Sequence, residues 1–284
     1  MEIHAFADED RTWTATYVVY DPVSKDAVVI DPILDLDTTP WRTSTDSVNR
    51  IVELVKLKQL RVHWILDTHV HADHISGAAA LKKRVDAPMA IGSNIRRVQE
   101  TFKGTFNLPA DFPTDGSQFD RLLDDGDLLT AGRLEVRVLG TPGHTPACCT
   151  YQIRDALFTG DVLFMPDIGV ARCDFPDGSA SDLYRSIKRL YELPNETRVF
   201  VGHDYPHGRP FHYQTTIAES KAFNADLPVN IDEAQFVKNI QARDSNLPAP
   251  RLLFPSLQLN INAGKLPEPE NNDIAYLKVP LNYL

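Results

Sequence analysis

A chain of 284 residues can form one large layered domain with an extension, or two small domains. With 43% hydrophobic and 24% charged residues it has the composition of a packed globular protein, which excludes global disorder. A net charge of −10 with no basic run gives no pull toward nucleic acid or anionic membrane, so neither partner is expected; a local Lys/Arg cluster could still receive an anionic small molecule.

The opening MEIHAFADEDRTWT is polar and acidic and lacks the apolar core of a signal peptide. No stretch approaches the ~20 apolar residues of a spanning helix, and a reducing cytoplasm is the expected location. Thr16–Tyr20 and Ala27–Ile30 read as strands around the turn-rich DPVSKD. Val48, Ile51, Val52 and Val55 then share one helical face, with Asp46 placed to cap it. Val62–Leu66 is a strand that delivers a cluster of histidines, and a small-residue helix starts at Gly77. Met89–Ile91 predicts a strand, Asn94–Glu100 a helix and 103–118 a loop. Leu134, Val136 and Val138 alternate as a half-buried strand, 140–146 is a turn, and Cys149–Ile153 with Ala156–Thr159 forms a hairpin. Leu183, Ile187 and Leu190 mark a helix face, Val199–Val201 a strand, and Phe236, Val237 and Ile240 a further helix. The tail from Pro248 is rich in Pro and Asn and is expected to be irregular.

Chemistry concentrates in Thr68-His69-Val70-His71-Ala72-Asp73-His74. Three imidazoles and a carboxylate in six residues repel when charged and waste burial when neutral, unless a cation satisfies them. Gly143-His144-Thr145-Pro146, Thr159-Gly160-Asp161 and Gly202-His203-Asp204 each place another ligand candidate after a short apolar strand. Parallel strand ends would bring all seven to one sheet edge. Cys148 and Cys149 are adjacent, a poor geometry for a disulfide, and Cys173 has no obvious base beside it; the three read as buried thiols.

THVHADH, GHTP, TGD and GHD, in this order, resemble the metallo-β-lactamase superfamily over about residues 1–210. The resemblance implies an α/β fold, a four-layer αβ/βα sandwich with metal at one edge of two sheets, and leaves 211–284 as a helical and irregular C-terminal extension. Within the superfamily, GVARCDF at 169–175, His203-Asp204-Tyr205 and the tail from Leu247 resemble the persulfide dioxygenase family, in its longer bacterial branch. That family implies one Fe(II) per chain on His69, His144 and Asp161, a facial triad with neighbouring open positions. It implies glutathione persulfide and O2 as substrates, with sulfite and glutathione as products. His71, Asp73, His74 and His203 are then expected to orient the iron ligands by hydrogen bonds, or else to form a second metal site.

Arg172 is the candidate for binding a substrate carboxylate, against a structural ion pair with Asp174. Tyr205 is the candidate for a catalytic hydrogen bond near the metal, and Arg209 a further substrate contact. The alternative on the same fold is a glyoxalase II-type thioester hydrolase with two metals. A β-lactamase or an RNA nuclease fits less well, as does a non-catalytic metal-binding module. Whether the extension covers an edge or makes a homodimer contact stays open.

Overall fold

The computed structural model describes residues 1–9, 12–206 and 208–282. The chain opens on β1 (Glu2–Asp8), β2 (Thr14–Tyr20) and β3 (Asp26–Ile30), an antiparallel meander. β2 and β3 are buried on both faces: Val18 and Val29 enter one core, while Tyr17, Val19, Val28 and Ile30 enter another. Continuous apolar runs, rather than alternation, are what two-sided burial requires. β1 escaped the sequence reading because it is a half-exposed edge strand that carries His, Asp and Glu.

β4 (Ile33–Asp37) and β5 (Arg42–Ser44) form a hairpin before α1 (Asp46–Lys58). The expected face of α1 is buried. Asp46, however, does not cap the helix. Thr45 holds the cap position without a side-chain bond, and Asp46 lies one residue inside, accepting from Ser44 Oγ at 2.9 Å. The free Ser47 N–H is taken by Asp35 of β4 at 2.9 Å, so the cap comes from an earlier strand.

β6 (Arg61–Leu66), β7 (Ile75–Ser76), α2 (Ala78–Val85), β8 (Met89–Gly92), α3 (Ile95–Thr105) and β9 (Arg121–Leu123) complete the first half, with sheet order β1-β2-β3-β6-β8-β9. β10 (Leu128–Ala131), β11 (Leu134–Gly140), β12 (Cys149–Ile153), β13 (Ala156–Phe158), α4 (Ala180–Leu190), β14 (Arg198–Phe200) and β15 (Gln214–Thr216) follow; their strands form a second sheet in sequence order. Last come α5 (Ile217–Phe223), α6 (Glu233–Asp244) and α7 (Leu253–Asn260).

Three apolar cores separate four layers. One lies between the first sheet and α1, α2, α3 and α7, one between the sheets, and one between the second sheet and α4 and α6. This is the αβ/βα sandwich that the resemblance implied. The tail corrects the sequence reading: α7 is a helix, buried on nearly all sides, inside the stretch expected to be irregular. Pro255 concealed it, yet Pro255 is the third helical residue, where the missing N–H would have had no helical partner. The residues beyond 210 add β15 to the second sheet and α7 to the first core. Among the described residues no helix is long and apolar enough to cross a membrane.

Asp26 ties the halves together. It accepts from Arg133 N–H in the β10–β11 turn at 2.9 Å and lies 2.7 Å from His63 Nε2 on β6. Hydrogen bonding from Ser24 first, then from Arg133 and His63, lowers its carboxyl to about 2. A depressed folded value stabilises above the unfolded value near ~4 and is lost as pH falls toward 2. Asp26→Ala is therefore expected to cost about 1–3 kcal/mol at neutral pH. In melts followed by circular dichroism across pH, the gap to the parent should close between roughly pH 4 and 2.

Candidate metal centre

The fold gathers the motif residues because the relevant strands end at one edge. β6 runs into the loop 67–74, β11 into the turn that bears His144, β13 into Asp161 and β14 into His203. β13 and β14 are parallel neighbours, so Asp161 and His203 emerge side by side. The two turns are knit by Gly202 N–H to Gly160 O at 3.1 Å. Gly160 has φ +50, and a Cβ there would lie 2.3 Å from Thr68 Oγ1, so only glycine lets the two sheets close over the site.

All seven candidates converge, in two groups. The ligand atoms of His69, His144 and Asp161 lie within 4.8 Å of one another, and so do those of His71, Asp73, His74 and His203. Asp161 Oδ2 is 3.8 Å from His69 Nε2 and 3.9 Å from His144 Nε2. Two ligands each about 2.1 Å from one ion can lie up to ~4.2 Å apart, so these spacings admit a cation between them. Asp161 Oδ1 turns the other way and sits 3.3 Å from His203 Nε2, which is also 3.3 Å from Asp73 Oδ2.

Each imidazole is aimed by the bond its other nitrogen makes. His144 Nδ1 donates to the Arg172 carbonyl at 2.7 Å, and His74 Nδ1 faces the Ile75 carbonyl at 3.4 Å. A carbonyl only accepts, so Nδ1 carries the proton and Nε2 is left for a ligand role. His69 Nδ1 meets Thr68 Oγ1 at 3.0 Å; that hydroxyl spends its proton on Asp31 at 2.8 Å, so it accepts from His69. Thr14 does the same for His203, at 3.2 Å, while donating to Thr12 O. His71 is reversed: Nε2 faces Asp31 at 3.1 Å and Nδ1 turns inward. The inward atoms His69 Nε2, His71 Nδ1, Asp73 Oδ2, His74 Nε2, Asp161 Oδ1 and His203 Nε2 are buried without a hydrogen-bond partner. That many buried polar atoms facing one another without a partner is the signature of a cation site. Among the described residues the second group makes no hydrogen bond to the triad, the nearest approach being His203 Nε2 to Asp161 Oδ1 at 3.3 Å, and its own ligand atoms are close enough together to hold an ion.

The electrostatics agree. Burial, then the neighbouring imidazoles, holds His69 well below the usual histidine range and His74 at about 3, so both are neutral. Burial opposes charge on His71 and His203 too, but Asp31 raises His71 to about 9, and Asp161 and Asp73 raise His203. A cation would displace those two protons, so its binding releases protons and strengthens as pH rises.

Residues 13–203 match the metallo-beta-lactamase superfamily. The chain belongs to that superfamily. Its relatives carry several names. A probable metallo-hydrolase of Burkholderia pseudomallei is 46% identical over 99% of both chains. The glyoxylase B2 of Dictyostelium discoideum is 47% identical over 95% of this chain and 94% of its own. The human mitochondrial persulfide dioxygenase ETHE1 is 31% identical over 90% of this chain and 86% of its own. The crystal structure of ETHE1 from Myxococcus xanthus superposes with a TM-score of 0.75 at 32% identity, over 93% of this chain and all of that one. Persulfide dioxygenases are thus homologues, alongside proteins named for hydrolysis.

In this superfamily member a cavity of about 680 Å³ opens onto the centre, and Asp73, His144 and Asp161 lie in its wall. Arg172 lines it, but its guanidinium grips both oxygens of Asp174 at 2.6 Å and the Pro248 carbonyl at 2.7 Å. The ion pair with Asp174 is thus present in a residue that also lines the cavity, while the Arg172 carbonyl aims His144. Arg209, expected to touch substrate, does not line the cavity; it is held between Asp204 and Asp167. Tyr205 does line it, its ring parallel to His203 with centroids 5.6 Å apart. Burial, then Asp73 and Asp161, raises its hydroxyl far above the usual tyrosine range, so it remains a donor. The cysteines are buried thiols: burial raises Cys148 to about 12 and pushes Cys149 and Cys173 higher still, which excludes a resting thiolate.

Asp31, the residue after the Ala27–Ile30 run, belongs to none of the motifs. Its carboxylate in fact accepts from Thr68 N–H, Thr68 Oγ1 and His71, and so sets two of the ligands. Its one legible signal was an Asp on the same sheet edge as the histidines. Arg251 at the cavity wall and the deeply buried Asn260 went unread because they lie beyond the motifs.

Stripping the bound cation with a chelator is expected to lower stability by about 3–4 kcal/mol relative to saturating metal. Asp161→Ala should retain under a tenth of the parent's metal by elemental analysis, and parental binding should be tighter at pH 8 than at pH 6.

Proposed function

We propose that this protein is a persulfide dioxygenase, with iron held by His69, His144 and Asp161. The observation that carries the reading is how the cavity meets the centre. It reaches His144 and Asp161 of the triad but only Asp73 of the four-residue group, whereas His71, His74 and His203, like His69, are at 1% exposure or less. A molecule entering meets two of the three triad residues and one of the other four. The persulfide dioxygenase homologues support the same reading.

The overall reaction would be RSSH + O2 + H2O giving RSH + H2SO3, with the terminal sulfur losing four electrons and dioxygen gaining them. Ferrous iron, when bound, supplies the redox chemistry and neighbouring open positions for sulfur and dioxygen. The chain's own share is position and environment. Phe164 and Phe175 make the cavity wall apolar and limit water near the persulfide. Tyr205, fixed by its stack on His203, offers a neutral O–H to sulfur or to the sulfite oxygens.

Recognition of an anionic thiol carrier such as glutathione persulfide falls to Arg251. Arg172 and Arg243 are each tied to carboxylates, but among the described residues Arg251 has no ion pair, and it holds only Thr38 Oγ1 at 3.1 Å. A guanidinium at the cavity wall can take a carboxylate in bidentate fashion. Arg251→Ala is expected to raise KM about 10-fold or more with kcat nearly unchanged. Arg209→Ala should lower stability and leave KM alone.

One observation favours a second reading. The four-residue group is intact, and Asp161 spans both groups, as a dinuclear hydrolase of the glyoxalase type requires. Oxygen-electrode and sulfite assays on iron-loaded protein decide. The dioxygenase takes up one O2 per persulfide and releases one sulfite. Hydrolysis of S-lactoylglutathione with two ions per chain and no O2 uptake would reject it.

A further inference from the structure

We infer that Asn260, at the end of α7 and outside the span that matches the superfamily, is a positioning residue for the metal-binding loop. Its amide is used entirely on one short segment. Nδ2 donates to the carbonyls of His71 and His74, both at 2.8 Å, and Oδ1 accepts from Ser76 N–H at 2.8 Å. Two of these partners are themselves ligand residues, and Asp73 lies between them. Asn260 is 3% exposed and almost 190 positions away in sequence, so the clamp is formed only in the folded chain.

The loop needs such a clamp. Residues 69–74 belong to no helix or strand, so their backbone groups lack a ladder to pair with. A buried carbonyl without a partner would rotate or draw in water, and each ligand side chain turns with its carbonyl. Asp31 fixes the His71 ring and Asn260 fixes the main chain, so the two constraints are independent.

α7 is well placed to transmit this hold. Leu253, Leu257 and Ile261 sink into the core under the first sheet, and Leu259 packs with Ile75 and Leu34. Just past the helix, Gly264 at φ +71 passes so close to Ser76 that a Cβ would lie 2.2 Å from its carbonyl oxygen. The extension therefore presses on the loop at two neighbouring points. The same segment begins with Pro248, Arg251 and Leu252 in the cavity wall, so it serves substrate space at one end and the metal loop at the other. The inference does not depend on which reaction the centre performs.

The test is the rate at which metal-loaded protein passes its ion to an excess of a coloured chelator, with the visible spectrum of the Co(II)-substituted protein as a second readout. Asn260→Ala removes all three bonds. Asn260→Asp keeps the shape but turns an oxygen toward two carbonyls. Both are expected to release metal about 10–100-fold faster than the parent and to alter the Co(II) bands. Gln258→Ala, which cuts the link from α7 to Lys278 without touching the loop, should release metal at the parental rate. Asn260→Ser, which retains a short hydroxyl, serves if the alanine variant does not fold. Folded Asn260 variants that melt earlier yet keep parental release and spectrum would reduce Asn260 to a structural bond and overturn the inference. In the unmodified protein, hydrogen exchange at the Ser76 amide should slow on metal loading; exchange indifferent to metal overturns it as well.

Discussion

Five imidazole nitrogens and two carboxylates aim at a shared interior, and the rest of the architecture follows from holding them there. No hydrogen bond within the protein satisfies most of these inward atoms. Left alone they repel, and burial denies them water. The fold resolves the conflict from outside. Each ring is gripped on its far nitrogen by an acceptor, either a carbonyl, a hydroxyl whose proton is already committed, or Asp31. Orientation and tautomer are thus settled before any ion arrives. An ion bound there would gain a prearranged shell instead of having to organise one.

The two sheets divide this labour. The first sheet supplies the loop after β6, and the second supplies His144, Asp161 and His203 from strands that end at the same edge. The interface between the sheets must therefore be exact to a fraction of an ångström at that edge. The contacts there are close and specific: Ala15 N–H bonds Gly202 O at 2.9 Å, Cys149 N–H bonds Thr68 O at 2.9 Å, and Tyr17 OH reaches Val201 O at 2.6 Å. Each crosses from one half of the chain to the other, so packing between the halves and ligand geometry are one problem.

What was legible in the sequence was local. THVHADH, GHTP, TGD and GHD each follow a short apolar run, so both the ligand residues and their place at strand ends could be read. The β2, β3 and α1 patterns were equally clear, because burial imposes its period on the residues themselves. What escaped depends on partners far along the chain. Asp46 looked like a cap until Asp35 took the exposed N–H. Arg172 could be read as a substrate contact or as the partner of Asp174, but the Pro248 carbonyl that also holds it is 76 positions away. Asp31 and Asn260 sit in no motif, since their roles are defined by residues 37 to 189 positions away. Helix α7 was hidden for another reason: Pro and Asn suggest coil, whereas burial among apolar neighbours outweighs their weak local preference.

The contribution of α7 bears on where the catalytic unit ends. A fragment cut after His203 would keep every ligand motif on paper, and all seven candidate ligands. It would nonetheless lack the last strand of one sheet, a wall of the cavity and the Asn260 amide that holds the histidine loop. Modular transplantation of this centre onto a shorter scaffold must carry the distal segment too, because the boundary drawn by sequence motifs is narrower than the boundary drawn by mechanical support.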